Sequence, residues 1–204
     1  AGDYASRYTV ENLVVYLNRQ GQGSPVMQLK TGIQAVNERL YEESRSREEL
    51  RGMGCTLVAA VAEADTLYVA NVGDSRLYLI RQNSIRQITR DHSYVEEMAA
   101  MGRMDRDSAY YKSHKNIITR AMGIERSVEA DFFEAELCQG DYFLLCSDGL
   151  TNMVDDESIR RIVVGSGSLK DKASQLIAAA NHQGGADNIA VVLVRPGEGG
   201  EALC

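Results

Sequence analysis

Three aspartates in this 204-residue chain stand against apolar, strand-like runs. Asp74 follows Leu67-Tyr68-Val69-Ala70-Asn71-Val72, Asp148 follows Tyr142-Phe143-Leu144-Leu145-Cys146, and Asp187 precedes Ile189-Ala190-Val191-Val192-Leu193-Val194. In an antiparallel sheet the end of one strand lies beside the beginning of its neighbour, so two ends and one beginning can share a rim. Three carboxylates gathered there repel one another unless a cation sits between them. Hard divalent ions with oxygen ligands, Mg²⁺ or Mn²⁺, suit such a site. Gly73, Gly149 and the pair Gly184-Gly185 flank the aspartates and let the backbone turn sharply and approach a ligand closely. No His or Cys set has the spacing of a zinc site. Taken singly, each Gly-Asp or Asp-Gly is turn punctuation; their shared setting beside strands gives them interest.

Several elements must position these residues. Val10, Leu13, Val14 and Leu17 follow helical spacing and give residues 3–20 one apolar face, with Gly21 and Gly23 as its stop. Ser24-Pro25 opens a second helix that Val26, Leu29, Ile33, Val36 and Leu40 continue, and the two helices are expected side by side. Short apolar runs at 57–62, 67–72, 77–80 and 85–88, with turn formers between them, predict an antiparallel meander. Ser93-Tyr94-Val95-Glu96 reads as a capping box opening a helix that stops at Gly102. Residues 103–116 are polar, carry tyrosines and lack a period, which predicts an exposed loop of the length that is usually functional. Strands are expected over 127–135, 141–146 and 189–194, and helices over 155–164 and 169–182. That order fits an α+β layered domain better than alternating βαβ units.

Composition narrows the class. With 44% hydrophobic and 25% charged residues, the chain is an ordinary globular one of a length that defaults to a single domain over 1–204. A net charge of -7 supplies no basic footprint, which argues against a nucleic acid partner. Cys55, Cys138, Cys146 and Cys204 are irregularly spaced and are expected as free thiols, mostly buried. With no charged-then-apolar leader and no apolar run near 18 residues, they point to a reducing aqueous compartment, read as cytoplasmic, and to no membrane. Cys146 lies in an apolar run with no Arg-bearing phosphate loop after it, which argues against a thiol-phosphatase mechanism.

Longer motifs carry a resemblance. Gly52-Met53-Gly54-Cys55-Thr56-Leu57, Val72-Gly73-Asp74-Ser75-Arg76, Ile88-Thr89-Arg90-Asp91-His92-Ser93 and Lys115-Asn116-Ile117-Ile118-Thr119-Arg120-Ala121-Met122-Gly123 are followed by Leu145-Cys146-Ser147-Asp148-Gly149-Leu150 and Gly185-Ala186-Asp187-Asn188-Ile189-Ala190. In content and order they resemble the metal-dependent Ser/Thr protein phosphatases of type 2C, the bacterial branch most of all. The resemblance implies an αββα sandwich of two antiparallel sheets flanked by helices. It implies Asp148 and Asp187 as core metal ligands, with Asp74 holding a third, looser Mn²⁺ or Mg²⁺ together with Asp148, and makes 103–116 a flap beside the substrate. It further implies hydrolysis of phosphoserine or phosphothreonine proteins, a cognate kinase among them, by a water activated between two cations. His92 and His114 read as structural, anchoring a turn and decorating the flap, and Arg76 and Arg120 as partners of carboxylates.

The family's opening strand pair, with its phosphate-gripping Arg, its Asn-Glu-Asp ligands and its Asp-Gly-Met-Gly-Gly or Asp-Gly-His-Gly-Gly turn, has no counterpart in these residues. Ala1-Gly2-Asp3-Tyr4-Ala5-Ser6 resembles the start of the helix that follows that turn. The expectation is therefore an N-terminally truncated fold with impaired turnover and with self-association through exposed strands. The alternative function is a non-catalytic pseudophosphatase or regulatory binding module.

Overall fold

The computed structural model describes residues 1–19 and 23–197. The helix stop read at Gly21 and the thiol of Cys204 lie outside the described residues. Contacts divide the chain into two compact units. One comprises Ala1–Val61, Tyr68–Asp74 and Asp91–Phe132; the other comprises Ala62–Leu67, Ser75–Arg90 and the chain from Phe133 on.

In the first unit, α1 (Gly2–Arg19) and α2 (Pro25–Ser46) pack side by side as their apolar spacing requires. Ser24 caps α2, its hydroxyl accepting from the Met27 N–H at 3.4 Å, with Pro25 at the first helical position. The buried stripe of α1 differs from the expected one. It runs through Ala5, Thr9 and Leu13, while Val10 and Val14 are exposed, because the face four residues apart is the one α2 covers. Leu13, Leu29, Ile33, Val36 and Leu40 form a core with Leu57, Ala70, Val72 and Met122. Buried Asn37 ties a loop to this core. Its amide donates to the Glu125 and Arg126 carbonyls, and its oxygen accepts from the Gly123 N–H at 2.8 Å.

Strands β1 (Leu57–Glu63), β2 (Thr66–Val72) and β5 (Asp131–Glu136) form one sheet in the order β1-β2-β5. Strands β3 (Arg76–Arg81), β4 (Ser84–Gln87), β6 (Tyr142–Cys146) and β7 (Val191–Val194) form the other, in the order β4-β3-β6-β7. The four-strand meander expected from the sequence is thus divided between two sheets. Alternation of apolar residues fixes which face a strand buries but not which strand it joins, and the chain changes sheet at Gly73-Asp74-Ser75.

In the second unit, Leu77 pairs with Leu145 and Leu79 with Phe143 across antiparallel β3 and β6. Helices α6 (Asp156–Val164) and α7 (Leu169–His182) cover that sheet, and Ile159, Val163, Leu176 and Ala180 form its core with Tyr78, Ile80 and Leu144. Each helix carries its own start signal, Asp155 accepting from the Ser158 N–H and Ser168 pairing reciprocally with Asp171. Buried Asp141 takes a two-pronged bond from Arg81, at 2.9 and 2.8 Å.

Helix α3 (Tyr94–Ala100) starts at Ser93 and ends before Gly102, as expected, but the segment 103–116 is not wholly irregular. It holds α4 (Ala109–His114), capped by Ser108. Cys55 and Cys146 are free, whereas Cys138 is disulfide-bonded, which corrects its expected free state and removes it from the case for a reducing compartment. No helix among the described residues is long and apolar enough to cross a membrane.

Candidate metal centre

Asp148 and Asp187 come to one end of a single sheet. Strand β6 pairs antiparallel with β7, Cys146 opposite Val191, so the residues after Cys146 run beside those before Val191. Ser147 stitches the two segments together. Its hydroxyl donates to the Asn188 carbonyl at 2.8 Å and accepts from the Ala190 N–H at 3.0 Å, while its own N–H donates to the Ala190 carbonyl at 3.1 Å. Ser147 is the N-cap of α5 (Asp148–Thr151), yet its hydroxyl caps nothing there because it is used across the sheet end. Gly149 permits the close approach: a Cβ at this position would lie 2.4 Å from the Asn188 carbonyl oxygen and 3.3 Å from that of Asp187.

The two carboxylates are oriented by local donors. The Asn152 side-chain amide donates to Asp148 Oδ2 at 2.9 Å, and the Asn188 backbone N–H donates to Asp187 Oδ1 at 2.7 Å. Asp148 is half-buried and Asp187 exposed.

Asp74 belongs to the other unit, at the end of β2, and is 8% exposed. The turn before it is built around Gly73 at φ 102°, where a Cβ would fall 2.4 Å from Thr56 Cγ2. His92 holds this turn from both sides. Its Nδ1 accepts from the Gly73 N–H at 3.1 Å and its backbone N–H donates to the Gly73 carbonyl at 2.9 Å. The ring proton therefore sits on Nε2, facing Asp131 Oδ2 at 3.2 Å, and Arg120 donates to Asp131 Oδ1 at 2.9 Å. Burial pushes the His92 pKa down against the pull of Asp131. Burial would raise Asp131, but the bonds from His92 and Arg120 outweigh it and hold its carboxyl below the usual range.

Asp148 and Asp187 lie at the paired end of β6 and β7, and Asp74 follows β2, a strand of the other sheet. Among the described residues no three His, Cys, Asp or Glu side chains form a ready-made ion cage. The donors present at the β6–β7 end are carboxylate oxygens, a set that fits a hard divalent cation. Arg76 donates to the Tyr78 hydroxyl at 2.9 Å, and His114 stacks on Tyr110 in the segment expected as a flap. Cys146 is buried within β6, and burial pushes the Cys55 thiol pKa up against the hydrogen bond it shares with Thr9.

Two clusters of interacting side chains escaped the sequence. Asp131, the partner shared by His92 and Arg120, lay inside a run read only as strand. Glu96, read as a cap, sends its carboxylate to Arg106 and Tyr111 instead. A signal existed for Glu96 in the arginine- and tyrosine-bearing residues that follow its helix.

The model of the protein phosphatase 2C family matches residues 2–98. The serine/threonine phosphatase stp of Listeria welshimeri is 45% identical over 166 residues, which are 81% of this chain and 66% of that protein. The protein phosphatase PhpP of Streptococcus pneumoniae is 41% identical over 167 residues, 81% of this chain and 67% of that one. Among solved structures, the serine/threonine phosphatase Stp1 of Staphylococcus aureus superposes with a TM-score of 0.89 at 33% identity, covering 97% of this chain and 79% of that one. The catalytic domain of the phosphatase PstP, solved with two manganese ions, superposes at a TM-score of 0.82 and 30% identity, covering 94% and 80%. With two antiparallel sheets flanked by helices and these relatives, the chain belongs to the protein phosphatase 2C family.

Proposed function

We propose that this protein is a metal-dependent phosphatase acting on phosphoserine and phosphothreonine in proteins, with Asp148 and Asp187 as its core metal ligands. The observation that carries this reading is the stitching of the β6 and β7 ends by Ser147 and Gly149, which sets two carboxylates at one sheet end. Mn²⁺ or Mg²⁺ bound there would acidify a water and offset charge developing on the phosphoryl oxygens. Asn152 occupies one oxygen of Asp148 and so orients the other. The Asn188 N–H does the same for Asp187. Asp74, on a turn fixed by His92, keeps the role of ligand to a looser cation.

The proposed substrates are phosphorylated Ser/Thr proteins, a cognate kinase among them, and the proposed compartment is the cytoplasm. In the same reading residues 1–204 act as one domain. Self-association through strand surface belongs to it as well; Val192 and Val194 of edge strand β7 are exposed. The test is Mn²⁺-dependent release of phosphate from a phosphothreonine peptide by the full natural chain. Turnover by the full chain that Asp148→Asn abolishes supports the enzyme. No turnover at any Mn²⁺ concentration, with intact folding, would favour the non-catalytic binding module.

A further inference from the structure

Lys172 is a buried cation that meets a phenol where a carboxylate would be expected. It stands in α7 at 3% exposure, and its Nζ donates to the Tyr142 hydroxyl at 3.0 Å while lying 4.5 Å from the centre of the Tyr142 ring. Arg195 brings a second cation, its Cζ 5.6 Å from the same ring centre. The strand register explains the meeting: Phe143 pairs with Val194 across β6 and β7, so Arg195 continues beside Tyr142. The carboxylates next in sequence are already engaged. Asp141 takes the fork from Arg81, and Asp171 closes the cap of α7 with Ser168. Among the described residues no carboxylate pairs with Lys172 or Arg195, and the charges acting on Tyr142 are those of these two cations.

Taking an ammonium out of water is costly unless a counter-charge offsets it. The Tyr142 hydroxyl supplies a bond but no negative charge. The bond from Lys172 pulls the Tyr142 pKa below the usual phenol range against burial, and the charges of Lys172 and Arg195 pull the same way, so this corner of the second unit favours negative charge. Its donors are also unspent. An ammonium and a guanidinium each carry several N–H groups, and a phenol oxygen that accepts from Lys172 keeps its own proton to give. Three donor groups around one ring match the several oxygens and the double charge of a small tetrahedral anion. The depth of Lys172 favours a free ion over a phosphoryl group carried on a larger molecule. Tyr142 begins β6 and Asp148 follows its end, which puts the cluster at the opposite end of the strand from the proposed metal ligands.

We propose that Lys172, Tyr142 and Arg195 form a binding site for inorganic phosphate, distinct from the metal centre and independent of the phosphatase reading. The experiment titrates inorganic phosphate into the full natural chain with Mg²⁺ present, at an ionic strength held constant with chloride, and follows amide chemical shifts residue by residue. Saturable shifts are expected at Tyr142, Lys172 and Arg195, on a binding curve separate from any seen at Asp148 and Asp187. Arg195→Gln removes an exposed charge without disturbing the core and should weaken this binding about tenfold. Lys172→Met replaces the buried cation by an apolar chain of similar length and should weaken it about a hundredfold. Shifts at the three residues that never saturate, or saturable binding that both variants leave unchanged, overturn the proposal. Should Lys172→Met fail to fold, Arg195→Gln decides alone: tenfold weaker binding upholds the site and unchanged binding overturns it.

Discussion

Replacing Gly149 by alanine tests whether the close approach at the sheet end sets the proposed metal ligands. The added Cβ would stand 2.4 Å from the Asn188 carbonyl oxygen and 2.9 Å from its carbon, both backbone atoms that cannot rotate away. Ordinary contact requires about 1 Å more, so the segment bearing Asp187 must retreat by roughly that distance. Overpacking of this kind costs about 1–3 kcal/mol. Strain on the two Ser147 hydroxyl bonds adds about 1 kcal/mol, and the better helix propensity of alanine in α5 returns a similar amount. The net expectation is a loss of about 2 kcal/mol. Displacing one ligand by about 1 Å should cost on the order of a hundredfold in turnover. The assays are urea unfolding and a Mn²⁺ titration of phosphothreonine hydrolysis by Gly149→Ala in the full natural chain. Wild-type stability and wild-type metal dependence together would refute the reasoning.

Arg81→Ala should be among the more damaging changes in the second unit, because it removes the cation paired with the Asp141 carboxylate, which is 1% exposed and keeps the Cys138 N–H as a neutral donor. A loss of about 3 kcal/mol is expected. For a chain of this size that lowers Tm by roughly 6–12 °C by calorimetry. Stability should also fall with acid. The folded pKa of His92 lies below its unfolded value near 6.5, so the unfolded chain binds the proton first. The contribution of His92 is whole above pH 6.5 and lost as pH falls through the depressed folded value. Asp131, also depressed, acts in the same direction at lower pH. Urea midpoints at pH 7.5 and 5.5 should differ in that sense, and His92→Asn should shrink the difference; a higher midpoint at pH 5.5 would contradict the sign.

Much of the fold was legible because local chemistry announces it. Ser24-Pro25 marks the start of α2 from its own side-chain and ring geometry, and the apolar period of residues 169–182 gives α7 at its observed bounds. The motifs around Asp148 and Asp187 were legible for the same reason, since turn, glycine and strand end lie within a few residues. What the sequence concealed depends on distance along the chain. Nothing local says that β2 joins β5 while β3 joins β6. Asp131 meets His92 and Arg120 only once the chain has folded back. Glu96 was read as a cap because residue spacing described its backbone correctly; its carboxylate answers to partners ten and fifteen residues away. The exposed Val10 and Val14 show the same limit, for periodicity found the helix but a neighbouring helix chose its buried face.

The most direct measurement is an anomalous difference map from crystals of the full natural chain soaked in Mn²⁺. A manganese peak within coordination distance of both Asp148 and Asp187 is the predicted result. Ordered, vacant carboxylates at that sheet end, with manganese bound elsewhere or not at all, would contradict it.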